Sequence, residues 1–76
     1  MVTFKIQGET PFQVNAHSFS VSPSSEGYTL NYSANGIDYT AYTDSTPSNE
    51  NLIVNGIAKG MFFKLAGNNS LVDVAY

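Results

Sequence analysis

The side chains that could carry acid–base or nucleophilic chemistry are few in this chain and lie far apart. His17 is the single histidine, and there is no cysteine. A serine nucleophile needs a base and an oxyanion-stabilising loop, and no segment has the sequence of a nucleophile elbow. Asp38 is interpreted as a solvated residue beside a turn and Asp73 as an outward strand residue, because 76 residues leave little room for a cleft between paired carboxylates. We therefore predict that the protein is not an enzyme and uses no cofactor.

One segment, residues 44–51, gathers the oxygen-bearing side chains that calcium prefers. Its ligand spacing matches no known calcium-binding loop, and Pro47 restricts the backbone in its middle. We interpret this segment as a solvated loop and predict no metal ion.

Aromatic residues are the most informative group for binding, with five Tyr, five Phe and no Trp. Most occupy positions that strand alternation directs inward, where they fill a core. Tyr42 and Phe62 are predicted to point outward, where a ring can anchor a protein interface or stack on a sugar. The alternatives are that they lie under a loop or face a second sheet. Together with Val2 and Phe4 of the N-terminal strand, whose edge a neighbouring molecule could cover, they are the predicted interface residues.

Charge and composition narrow the choice of partners. Three Lys and no Arg are too few to neutralise phosphates, which excludes nucleic-acid binding. Only 12% of residues are charged, about half the usual share, so that Ser, Thr and Asn supply most of the polarity. Such a surface indicates packing against something large, or little pressure to stay monomeric. No stretch approaches the length of a membrane span, and Met1 leads straight into an alternating strand, so that we expect cytosolic synthesis and no membrane partner.

The elements that must position these side chains are strands. Gly and Pro recur too often for helices, and the residues between them are mostly strand formers. The chain is predicted to form one all-β domain, 1–76, a compact antiparallel β-sandwich of about seven to eight short strands. The expected strands are 2–6, 12–14, 17–21, the two arms of a hairpin within 28–43, 52–54, 61–65 and 71–75. The expected core includes Phe4, Phe19, Leu30, Tyr32, Tyr39, Ile53, Phe63 and Val72, with the apolar run 52–54 covered on both faces.

The hairpin has the sharpest expectation. A two-residue type I′ turn at Asn35-Gly36 would place Tyr32 opposite Tyr39 and Leu30 opposite Ala41. Seven of the eight residues on that face would then be apolar or aromatic, and the other face would be polar. The pattern predicts a half-buried antiparallel hairpin.

Two segments resemble known surface modules. Tyr32-Ser33-Ala34-Asn35-Gly36-Ile37-Asp38-Tyr39-Thr40 resembles a hairpin of immunoglobulin-like and discoidin-like modules. Phe63-Lys64-Leu65-Ala66-Gly67-Asn68 is similar to the strand end that follows such hairpins in β-sandwich domains of gut bacteria and their phages. A discoidin domain is about twice this length, so that the resemblance implies a compact immunoglobulin-like sandwich.

Short modules of this kind without cysteine look like the auxiliary or decoration proteins of tailed-phage capsids. The resemblance implies a structural virion protein that binds the outer surface of a phage head. Its partner would be the lattice of the major capsid protein, or further copies of itself, and it would reside in the virion after synthesis in the cytoplasm of a host bacterium. The alternative is a carbohydrate-binding or adhesion immunoglobulin-like module of a surface protein, with a glycan as its ligand.

Overall fold

A computed structural model describes residues 1–22, 28–42 and 51–76, which contain strands and no helix. Among them no helical segment of bilayer-spanning length and apolarity occurs. The strands are β1 (Thr3–Gln7), β2 (Phe12–Val14), β3 (Ser18–Ser22), β4 (Thr29–Ser33), β5 (Thr40–Ala41), β6 (Leu52–Asn55), β7 (Met61–Ala66) and β8 (Leu71–Ala75). They form two four-stranded antiparallel sheets, which confirms the predicted all-β sandwich and its number of strands.

The strand order is β1-β8-β3-β6 in one sheet and β2-β7-β4-β5 in the other. The first half of the chain pairs with the second half in reverse, as β1 with β8, β2 with β7, β3 with β6 and β4 with β5, and successive pairs alternate between the sheets. A long hairpin rolled up in this way is a jelly roll, the eight-stranded sandwich of two Greek keys. An immunoglobulin sandwich places its first two strands side by side, so that the immunoglobulin-like part of the prediction is refined to a jelly roll.

Alternation along the strands builds the core between the two layers. Phe4 and Phe19 from one sheet meet Phe12 and Phe63 from the other, with ring centroids 4.6 Å apart for Phe19 and Phe63 and 6.0 Å apart for Phe4 and Phe12. Tyr28 and aliphatic side chains complete the buried cluster, and the aliphatic members are Ile6, Val14, Val21, Leu30, Leu52, Val54, Leu65, Val72 and Val74. Aromatic contacts at these distances stabilise the packing beyond the area that they bury.

The hairpin forms, but with a different turn from the predicted one. Tyr32 lies opposite Thr40, and Asn31 opposite Ala41, so that the return strand is displaced by one residue from the expected register. The cause is the side chain of Ser33, which is only 2% exposed. Its Oγ accepts hydrogen bonds from the backbone N–H groups of Asn35 and Gly36, at 3.2 and 2.9 Å.

The side chain of Asn35 closes the rest of the same loop. Its Oδ1 accepts the backbone N–H groups of Ile37 and Asp38, at 2.8 and 3.0 Å, and the Ser33 hydroxyl at 2.8 Å. Asn and Ser side chains commonly compete with backbone pairing in this way. The loop is therefore longer than the two residues that the Asn-Gly signal predicts, although Gly36 does take a left-handed φ of 77°.

A shift of one residue moves every side chain of the return strand to the opposite face. The predictions for this strand are therefore wrong. Ile37 is 78% exposed instead of inward, and Tyr39 lies on the outer face beside Lys64. Tyr42, predicted to point outward, packs against the core with its ring edge-on to Tyr32 at 6.2 Å.

The prediction that the apolar run of β6 is covered on both faces is also wrong. Leu52 and Val54 are buried, but Ile53 is 67% exposed. β6 lies at the end of its sheet and pairs with β3 alone, so that its outer face has no covering layer among the described residues.

Candidate functional site

A concavity lies where β5 and the β6–β7 connection meet at one side of the sandwich. Its volume is about 280 Å³. We call it the tyrosine pocket, and its lining consists of Tyr32, Ala41, Tyr42, Gly56, Ile57, Ala58, Met61 and Phe63. The aromatic and aliphatic residues come from sheet β2-β7-β4-β5, and the connection 56–58 supplies the opposite wall.

The wall formed by the connection is held by the only histidine. His17 Nδ1 donates to the backbone carbonyl of Ile57 at 2.8 Å, and the Ile57 N–H donates to the His17 carbonyl at 3.1 Å. The next turn is tied to β2, because Gly60 N–H donates to Val14 O at 2.8 Å and Gln13 Nε2 donates to Gly60 O at 3.1 Å. His17 thus links the start of β3 to the β6–β7 connection, and it lies at the strand end where the sequence predicts it.

The chemistry of the tyrosine pocket is apolar and neutral. Phe63 and Met61 line it from the core side, and the two tyrosine rings stand at 89° to each other. No charged side chain occurs among the lining residues that the structure describes. A neutral ring or an aliphatic group carries no charge, so that its entry breaks no ion pair and strips no ion of its hydration shell.

Of the four predicted interface residues, only Tyr42 belongs to this pocket. Phe62 lies on the outer face of the same sheet, as alternation predicts, but it is half-buried because the Asn35-Gly36 loop covers its ring. A Cβ built on Gly36 would stand 3.5 Å from three ring carbons of Phe62. This is the placement under a loop that the sequence left open as an alternative.

Val2 and Phe4 lie at the edge strand β1, away from the tyrosine pocket. Val2 is 48% exposed, whereas Phe4 is half-buried and packs edge-on against Phe12 and Tyr76. Val2 and Tyr76 exchange backbone hydrogen bonds of 2.6 and 2.9 Å, which close the β1–β8 ladder. The structure therefore does not bring the four residues together at one place.

The outer face of sheet β1-β8-β3-β6 is the second surface of interest, and we call it the serine face. Cross-strand pairing sets Thr3 beside Ala75, Ala75 beside Ser20 and Ser20 beside Ile53 in one row. The members of the face with outward side chains are Thr3, Lys5, Gln7, Ser18, Ser20, Ser22, Ile53, Asn55, Leu71, Asp73 and Ala75. Short, uncharged side chains therefore dominate it.

The two charges of the serine face neutralise each other. Lys5 Nζ lies 2.6 Å from Asp73 Oδ1, and both side chains are more than half exposed. This agrees with the prediction that Asp73 points outward. At the ends of the face, Ile53 and Leu71 are 67% and 51% exposed.

The two segments that carry the family resemblance also meet on a surface. Lys64 Nζ lies 4.8 Å from the centroid of the Tyr39 ring, on the outer face of sheet β2-β7-β4-β5. Both side chains are partly buried, and a cation–π contact contributes from about 0.5 kcal/mol at exposed sites to about 2 kcal/mol where it is desolvated. It connects the hairpin to β7 outside the core.

Acidic residues form no cluster in the part of the chain that the structure describes. Asp38 is exposed beside the hairpin loop, as predicted, and accepts a hydrogen bond from Asn35 Nδ2 at 3.3 Å. No group of three or more His, Cys, Asp or Glu residues is close enough to hold a metal ion within 1–22, 28–42 and 51–76. All but the last residue of the predicted solvated loop 44–51 lie outside the described residues.

Sequence reasoning missed the wall residues Ile57, Ala58 and Gly56. The available signal was the pair Gly56 and Gly60, which both take left-handed φ values, 72° and 87°, and so fix the backbone path of the connection.

No protein-family model, curated protein or solved structure matches this chain.

Proposed function

We propose that this chain is a non-enzymatic docking protein of a phage virion, and specifically a decoration protein that binds the lattice of the major capsid protein on the outer surface of the head. The observation that carries the proposal is the serine face. It is neutral as a whole, has short side chains, and exposes Ile53 and Leu71 at its ends. Few charges need to lose water when such a face is covered by another protein.

Repetition makes a small interface sufficient. A chain of 8.2 kDa offers a limited contact area, but neighbouring copies that also touch one another on a lattice gain from effective concentration. Among residues 1–22, 28–42 and 51–76, β1 and β6 each pair with a strand on one side only, so that their outer edges offer backbone groups to such neighbours. The jelly roll occurs in viral capsid proteins and lectins, which is compatible with the proposal without assigning the role.

The test is to purify phage particles from bacteria that carry the gene and to count the 8.2-kDa chain by mass spectrometry. We expect many copies per particle and a regular outer density in electron micrographs. Ser20→Arg, at the centre of the serine face, should lower the copy number at least about tenfold, because it buries an unpaired charge. Thr29→Arg, on the outer face of the other sheet, is the matched control and should incorporate normally. Absence of the chain from particles would refute the proposal.

A second candidate function, carbohydrate binding, is favoured by one observation, the two tyrosines that line the tyrosine pocket. Tyrosine rings stack on sugars and donate hydrogen bonds from their hydroxyls. A glycan array distinguishes the candidates, because a signal that is lost in Tyr42→Ala and retained in Tyr39→Ala would favour a glycan ligand over a capsid.

A further inference from the structure

The dimensions of the tyrosine pocket fit one ring. A cavity of roughly 150 Å³ suffices for benzene, and sites for whole cofactors or drug-sized ligands start at roughly 300 Å³. At about 280 Å³ the pocket exceeds the first size and falls just short of the second. It therefore accommodates a single ring with its linking atoms.

The lining selects the chemistry of that ring. Tyr32, Tyr42 and Phe63 offer ring faces and edges, and Met61 offers a thioether, which is favourable beside an aromatic ring. A sugar would need several directed polar partners, and the described lining supplies only tyrosine hydroxyls and backbone groups. A charged group would find no counter-ion among the described lining residues.

From this geometry we infer that the tyrosine pocket receives one neutral aromatic side chain from the protein on which the chain docks. Burial of a single ring corresponds on its own to a Kd of roughly 10–100 mM, which is weak for a free metabolite. The same burial is appropriate for an anchor residue within a larger, repeated interface. The pocket adjoins the proposed docking face, because Gly56 of its wall directly follows Asn55 of the serine face. The inference thus deepens the proposed docking function and depends on it for the source of the ring.

One wall of the tyrosine pocket is held by hydrogen bonds, as an anchor site requires. His17 and Ile57 exchange two hydrogen bonds, and Gly60 is held by both Val14 and Gln13. This wall is therefore in place before a ligand arrives, and it loses little conformational freedom on binding.

The experiment is an NMR titration of the whole chain with N-acetyl-L-phenylalaninamide, read at the methyl groups of Met61 and Ile57. We expect shifts that approach saturation at tens of millimolar probe. Ala58→Phe places a ring at an exposed lining position, and Tyr42→Ala removes one of the two lining tyrosine rings, so that both should abolish the saturable shifts. Ala34→Phe makes the same change at an exposed alanine of the hairpin loop and should bind as the unmodified chain does.

Several outcomes would overturn the inference. They are the absence of saturable shifts, undiminished binding in both lining variants with an unchanged fold, and tighter binding of N-acetyl-L-leucinamide or methyl β-glucoside than of the aromatic probe. The particle assay separates this inference from the proposed function. Probe binding by a chain that is absent from particles would keep an aromatic-ring site but remove its docking role. Presence on particles without probe binding would keep the docking function and refute the aromatic anchor.

Discussion

Replacement of Ser33 by alanine tests the turn that sets the register of the hairpin. The hydroxyl accepts two backbone N–H groups, from Asn35 and Gly36, and donates to Asn35 Oδ1. A partly buried N–H group that loses its acceptor destabilises the fold by about 1–3 kcal/mol. Water can reach the exposed side of this loop and accept from part of the freed N–H groups, so that the expected loss lies in the lower half of that range. We expect Ser33→Ala to lower the free energy of unfolding by about 1.5 kcal/mol, which is a fall in Tm of roughly 6–12 °C for a domain of this size.

The assay is thermal and urea unfolding followed by circular dichroism, with Ser18→Ala as the matched control. Ser18 is exposed on β3, and its replacement should change stability by less than about 0.5 kcal/mol. Amide exchange gives a second measurement, because the Asn35 and Gly36 amides should lose protection in Ser33→Ala. A two-residue type I′ turn would leave Ser33 as a dispensable strand residue. Equal stability of the two variants would therefore refute the side-chain-capped loop.

Three further predictions concern the core and the surface charges. Phe63→Ala should lower the free energy of unfolding by about 3–5 kcal/mol, because this ring is fully buried between the sheets, whereas Phe62→Ala should lower it by about 1 kcal/mol. Urea unfolding compares the two variants, and equal losses of stability would contradict the assigned faces. Burial raises the pKa of Tyr28 to about 12, whereas it is about 10 in the unfolded chain. The contribution of neutral Tyr28 to stability is therefore complete below about pH 10 and is lost as the pH rises towards 12. Tyr28→Phe should flatten the fall of Tm over this pH range, and an unchanged profile would exclude Tyr28 as the cause. Asp73→Asn should lower the free energy of unfolding by less than about 1 kcal/mol, because the ion pair of Asp73 with Lys5 is exposed. Salt at about 0.5 M should reduce the difference in Tm between the variant and the unmodified chain. A larger loss of stability that does not depend on salt would contradict this prediction.

The strands could be predicted from the sequence because each is short, most of them alternate, and Gly, Pro or Asn separates each from the next. The hairpin register could not, because Asn35-Gly36 is compatible with a two-residue turn and with a loop that side chains close. The choice depends on Ser33, whose hydroxyl is buried only once β7 lies beside β4. Hydrophobic pattern supported the wrong register as well, since it placed Ile37 and Tyr39 inward.

The candidate site was less accessible to sequence reasoning than the fold. Its wall is set by a contact between His17 and Ile57, which are 40 residues apart, and nothing local to either residue predicts that pairing. Tyr42 was singled out as a binding residue on the wrong face, because its parity followed from the misplaced turn. Ile53 shows the related limit that three consecutive apolar residues indicate a strand but not whether both of its faces are covered.

The pairing of the first strand with the last has an engineering consequence. Val2 and Tyr76 share two backbone hydrogen bonds, and residues so paired have Cα atoms roughly 5.5 Å apart. A linker of a few glycines could therefore join the two ends into a circle, or the whole unit could be spliced into a loop of another protein without forcing the host backbone apart. A protein fused to either end would be attached at the same corner of the molecule. Neither end is close along the chain to residues 56–58, which form one wall of the tyrosine pocket.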